Sequence, residues 1–163
     1  MGRAFGGGTS SLDLDLGCMY ELADGSVGVI QALGNSFGSL HNAPYILLDG
    51  DDRSGANTAG ENLFINLNHL ADLRRILVFA YIYEGAPSWD QAQGVITLYP
   101  QSGPEVEIRL DELAGGARFC ATALFENTGS ELTLRREVRY IKGSQADVDR
   151  AYGFGMRWTS ARK

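Results

Sequence analysis

ILVFAYIY, at residues 76–83, is the longest uninterrupted apolar run of the chain. Eight residues suit a strand better than a helix, and period two leaves no polar face on either side. The run therefore predicts a central β-strand covered on both faces. Working outward from it decides the fold.

Downstream, two hairpins are punctuated clearly. Residues 94–99 and 105–110 flank PQSGP at 100–104, and residues 118–126 and 131–141 flank NTGS at 127–130. In the last strand Leu132, Leu134, Val138 and Tyr140 share one face, and Thr133, Arg135, Glu137 and Arg139 share the other. Ser144 to Asp147 fits a capping-box variant, predicting a short helix over 146–152 that Gly153 ends. Phe154, Met156 and Trp158 then predict a final strand packing back.

Upstream, HLADLRR at residues 69–75 predicts one or two helical turns capped by Asn68. Residues 45–48 and 63–67 read as short strands on either side of a glycine-rich acidic loop. Leu12, Leu14 and Leu16 alternate with Asp13 and Asp15, giving a strand with one apolar and one acidic face. Asp24-Gly25 turns it back along residues 27–33. The sum is an all-β fold: an antiparallel β-sandwich of about nine short strands with one or two short helices. A closed barrel is the alternative.

The 163 residues suit one domain. Residues 1–10, MGRAFGGGTS, have the composition of a flexible N-terminal tail or linker, leaving 11–163 as the sandwich domain. The net charge of −6 sits entirely in residues 1–62, with eight acids against two bases, whereas residues 63–163 carry twelve of each. Such a balance argues against nucleic acid as the main partner, because phosphate binding needs a basic footprint. Cys18 and Cys120 lie inside apolar runs and read as buried free thiols. With no secretory signal and no apolar run of about 18 residues, the expectation is a cytoplasmic protein without direct membrane insertion.

The acids concentrate in DGDDRSGANTAGEN, residues 49–62, where Asp49, Asp51, Asp52, Asn57, Thr58, Glu61 and Asn62 offer oxygens and Gly50, Gly55 and Gly60 let the chain curl. Calcium takes six to eight oxygens from such loops. The loop is not an EF-hand: counting Asp49 as position one puts Arg53 at five, Ser54 at the glycine position and Gly60 at the glutamate position. Ligands must then come from elsewhere. Asp13 and Asp15 are the outside donors, about 6.5–7 Å apart on one strand face at the usual rise per residue. From the residues alone, a cation site and a solvated acidic face stand level. Two cysteines and two histidines in the whole chain do not make a zinc or iron site.

Other constellations carry less. Gly34-Asn35-Ser36-Phe37-Gly38 matches the nucleophile-elbow pattern, but Pro44 and the strand at 45–48 leave no room for the helix that elbow needs. A serine hydrolase at Ser36, with His69 as base, is the remote reading. His41 and His69 otherwise read as ordinary polar residues. Arg135, Arg136, Arg139 and Lys142 form a basic patch, read as a solvated strand face or a dock for an acidic partner. Glu84 ends the central strand and is not assigned as a ligand.

LDLDLG at 12–17, GDDRSG at 50–55 followed by GENLFINL, and VFAYIYEG at 78–85 together resemble the TerD-type domain of tellurium-resistance and stress proteins. YPQSGPEVEIRLDE and AYGFG resemble its TerA-type branch. The likeness runs from Leu12 to Trp158. It implies calcium held on a β-sandwich by the Asp13 and Asp15 pair and by the loop beginning Gly50, Asp51, Asp52, Arg53, with Asp52 where the family has asparagine. The loop's second half, with Glu61 its one acid, departs from the family's dense acidic run and implies weaker binding. The resemblance also implies a non-enzymatic role among other tellurium-resistance proteins, at the inner face of a membrane. A metal-independent interaction scaffold in such an assembly is the alternative.

Overall fold

The computed structural model describes residues 2–5, 13–49, 62–84, 88–92, 94–112 and 114–158. Among these residues eleven strands run in chain order: β1 (Gly2–Phe5), β2 (Asp13–Leu22), β3 (Val27–Ile30), β4 (Gly38–Ser39), β5 (Ile46–Leu48), β6 (Leu63–Ile65), β7 (Leu73–Glu84), β8 (Gly94–Leu98), β9 (Val106–Leu110), β10 (Phe119–Asn127) and β11 (Leu132–Ile141). Two short α-helices join them, α1 (Trp89–Ala92) and α2 (Gln145–Tyr152). All pairings are antiparallel, in a five-stranded sheet ordered β11-β10-β7-β2-β3 and two three-stranded sheets, β1-β8-β9 and β4-β5-β6. The fold is an all-β sandwich.

β7 is the central strand, and its two faces go to different cores. Ile76, Val78, Ala80 and Ile82 point inward with Leu16 and Cys18 of β2 and Cys120, Ala123 and Phe125 of β10, against residues of β5, β6, β8 and β9. Leu77, Phe79 and Tyr81 point the other way, with Met19, Ala121 and Leu124, under Val148 of α2 and Phe154. An eight-residue apolar run is what double coverage requires.

β10 carries a bulge at Thr122, since Ala121 pairs Phe79 and Ala123 pairs Val78. The extra residue is buried and donates its hydroxyl to the Val78 carbonyl at 2.9 Å, so the polar group is satisfied. β11 answers on its side, where Val138 has φ 44°. The strict alternation read over residues 132–140 therefore breaks at Glu137 and Val138.

Several elements differ from their sequence reading. Gly2–Phe5, read as part of a tail, form β1 against β8. The turn before β7 is a 3-10 helix over Leu67–Asp72, capped by Asn66, whose side chain accepts from the Asn68 N–H at 3.0 Å. Leu73, Arg74 and Arg75 belong to β7, because Arg75 stands opposite Glu21 of β2 and bonds it at 2.8 Å. Gly153 ends α2 in the left-handed region, φ 69°, and Asp147 accepts from the Ser144 N–H at 2.8 Å, as the capping box requires. Phe154, Met156 and Trp158 pack on the outer face but form no strand. Their backbone is held instead by Asp149, which accepts from the Gly155 and Met156 N–H groups and from Trp158 Nε1, each at 2.8 Å.

Candidate metal site

β2 and β7 place the first acidic segment. Asp13 stands opposite Glu84 and Asp15 opposite Tyr81, with a register shift between Asp13 and Leu14. Alternation along β2 puts Asp15 on the outer face of the five-stranded sheet, the face of Met19 and Tyr81. Asp15 is 1% exposed. Tyr81, itself buried, stacks on Phe119 with centroids 5.3 Å apart and lies 5.9 Å from Phe79. Of the two readings of this acidic face, the solvated one does not hold at Asp15.

β5 and β6 place the second segment, and its neck is closed. The Asp49 N–H donates to the Asn62 carbonyl at 3.0 Å, extending the Leu48–Leu63 pairing by one step. In return the Asn62 N–H donates to Asp49 Oδ1 at 2.8 Å and its side-chain amide donates to Oδ2 at 2.6 Å. Each carboxylate oxygen retains a second lone-pair direction, so Asp49 is oriented and remains a competent ligand. Asn62 was read as one more loop oxygen. Its position at the end of the β5–β6 ladder, which makes it the clasp, depends on strand pairing that spacing alone does not fix.

Asp51, Asp52, Asn57 and Glu61 lie outside the described residues, and Asp13 is described through its backbone. Among the described residues no three His, Cys, Asp or Glu side chains come together. The donor set that is in place is all carboxylate and amide oxygen, which suits a hard cation such as calcium.

The remaining candidates find structural roles. Ser36 donates its hydroxyl to the Val29 carbonyl at 2.7 Å and is followed by the two-residue β4, not by a helix. His69 stacks on Tyr45 at 4.0 Å and meets Asp72 at 3.1 Å. Cys18 and Cys120 are free and fully buried, and burial pushes both thiols far above their ordinary range. In the basic patch, Arg135 pairs with Glu137 at 2.6 Å and Arg139 lies over the Tyr152 ring at 5.7 Å. Burial pushes the Glu137 carboxyl up, but the Tyr152 hydroxyl and Arg135 outweigh it and hold the group below its ordinary value.

No family model matches the sequence. The chain is 43% identical over 157 residues to tellurium resistance protein TerA of Alcaligenes sp, an alignment covering 96% of this chain and 46% of that protein. The chain thus spans about half the length of the curated relative it matches. Two crystal structures share the fold. A protein of unknown function superposes with a TM-score of 0.68 at 16% identity, covering 95% of each chain. A homologue of telluride resistance protein (TerD) from Streptomyces coelicolor A3(2) superposes with a TM-score of 0.62 at 19% identity, covering 89% of this chain and 90% of that one.

Proposed function

We propose, from the premise that this chain is a TerD-type domain related to the tellurium resistance protein TerA, that it is a non-enzymatic calcium-binding module of a cytoplasmic resistance or stress system. One observation carries the metal reading. Asp15 is buried to 1%, two residues along β2 from Asp13. Two neighbouring carboxylates, one of them taken out of water, repel each other, and a hard cation offsets that cost. Asp13 and Asp15 would hold the ion from the sheet, and Asp49, Asp51, Asp52, Asn57 and Glu61 from the loop. Bound calcium would supply positive charge and fixed oxygen geometry, not a reaction. The chain's own part is to clasp the loop neck through Asp49 and Asn62 and to fix the β2 carboxylates against β7. No helix among the described residues is long and apolar enough to cross a membrane.

Calcium titration by calorimetry and thermal melting tests the proposal. The expectation is a calcium-dependent rise in melting temperature that Asp13→Asn and Asp51→Asn remove. The absence of both heat and stabilisation at millimolar calcium would sink it. The partners proposed are other tellurium-resistance proteins. Their capture by the full chain should weaken in chelator if metal-ordered loops form the contact surface, and should persist if the sandwich acts as a metal-independent scaffold.

A further inference from the structure

The sandwich is open at one end, between the edges of its two layers. β9 ends one three-stranded sheet and β11 ends the five-stranded sheet. Near the C-terminal ends of these strands the edges draw together, where the Glu112 N–H donates to the Tyr140 hydroxyl at 3.3 Å and Trp89 packs edge-on against the Tyr140 ring. At the other end a slot of about 160 Å³ lies between them, lined by Leu98, Val106, Phe125, Leu132 and Leu134. It joins a wider cavity of about 480 Å³ beside Tyr99 and Asn68, the two sharing Ile65, Leu67, Pro100 and Gln101. Val106 and Leu134, 39% and 38% exposed, are the exposed large hydrophobics among the described residues, and both are in this slot.

Charge and backbone narrow the occupant. Among the described residues, no acidic side chain, lysine or arginine lines the slot or the cavity. Alternation along β11 puts Arg136 on the side of Leu132 and Leu134, one step beyond them, and Arg136 is exposed with no ion-pair partner among the described residues. Arg135, on the other side, is engaged by Glu137 and Glu126. Past Arg136 the backbone turns at Val138, φ 44°, which limits regular pairing along this edge to Leu132 through Arg136.

We propose that this slot accepts an extended segment of a partner protein as an added strand along β11. The segment presents two aliphatic side chains, two residues apart, to the slot, and an acidic side chain two residues further along the same face to Arg136. Main-chain hydrogen bonds to the β11 edge supply affinity, and the three side chains supply specificity. Among the described residues the slot shares none with the metal site, and the proposal does not rest on calcium binding.

The test uses blocked seven-residue peptides with threonine at the odd positions and leucine, leucine and glutamate at the even ones, in both orders, titrated into the full chain by fluorescence anisotropy. One order should bind. Replacing its glutamate by lysine, its leucines by serine, or methylating its outward main-chain nitrogens should each weaken binding about tenfold or more. Arg136→Glu should reverse the preference between glutamate and lysine, and Leu134→Glu should remove binding. Both residues are exposed, and an unchanged melting temperature shows that the variants fold. The proposal is overturned if neither order binds at millimolar peptide. It is equally overturned if N-methylation leaves affinity intact, as for a small apolar ligand or a side-chain-only contact, or if Arg136→Glu leaves the charge preference unchanged.

Discussion

Gly17 shows how much one residue of LDLDLG decides. A Cβ there would lie 2.7 Å from the Ile30 carbonyl oxygen and 2.9 Å from the Phe79 ring, which stands opposite it on β7. Glycine in a strand interior marks such a close approach. Gly17→Ala should therefore destabilise the chain by about 1–3 kcal/mol, the usual cost of overpacking, as read from urea denaturation. Two residues away, Asp15→Asn keeps the shape and removes the charge. On the calcium reading its sign depends on metal: neutral or stabilising in chelator, where it relieves repulsion with Asp13, and destabilising relative to wild type in calcium. A loss of the same size in both conditions would count against the cation. The alternation of Leu12 to Leu16 was enough to assign a strand and sort its side chains into two faces. What covers each face was not legible, because period two carries no information about the layer above. A cation site and a solvated face therefore stood level for the acidic side, and the burial of Asp15 at 1% could not be foreseen.

At the scale of the element, α2 and the segment after it are fastened by charges far apart in sequence. Arg75 donates to Glu21 at 2.8 Å and to the Tyr152 and Gly153 carbonyls at 2.7 and 3.0 Å, and its guanidinium lies 3.9 Å over the Phe154 ring. Asp149, 4% exposed, holds the next turn through three donors. Asp149→Ala leaves those donors without their acceptor and should cost about 3 kcal/mol. Emission from Trp158 should shift to the red while fully buried Trp89 is unaffected. The Arg75 hydrogen bond, assisted by Arg74, holds the Glu21 carboxyl below its ordinary value of 4.5. A lowered folded pKa means the unfolded chain binds the proton more readily. The contribution is therefore complete above pH 4.5 and lost as pH falls through the lowered value. Glu21→Gln should flatten that part of the stability curve in acid-dependent melts, and an unchanged acid limb would contradict the linkage. The capping box at Ser144 and the stop at Gly153 were legible because their signals are local. The Asp149 clasp was not, since a strand and an acid-bound coil share the same apolar spacing at Phe154, Met156 and Trp158.

For the whole molecule, the five-stranded sheet has apolar side chains on both faces and cannot open on one side alone without exposing a core. Cys18 on β2 and Cys120 on β10 flank β7, and both project into the inner core at 0% exposure. Their burial pushes the thiols up and so disfavours the thiolate, the reactive form. Neither β2 nor β10 can leave β7 while α2 and its trailing segment cover one face and the smaller sheets cover the other. Both thiols should then react with a thiol reagent at one common rate, set by global unfolding. The rate should rise with urea in step with the unfolding constant, and Asp149→Ala should raise it for both thiols equally if releasing the clasp lowers global stability. On the calcium reading, saturating calcium should slow both together, since a ligand bound to the native state alone stabilises by about 2.7 kcal/mol at a hundredfold excess over Kd. Fast labelling of one cysteine in native buffer, located by mass spectrometry, would show that one layer opens independently and that the two cores are not a single cooperative unit.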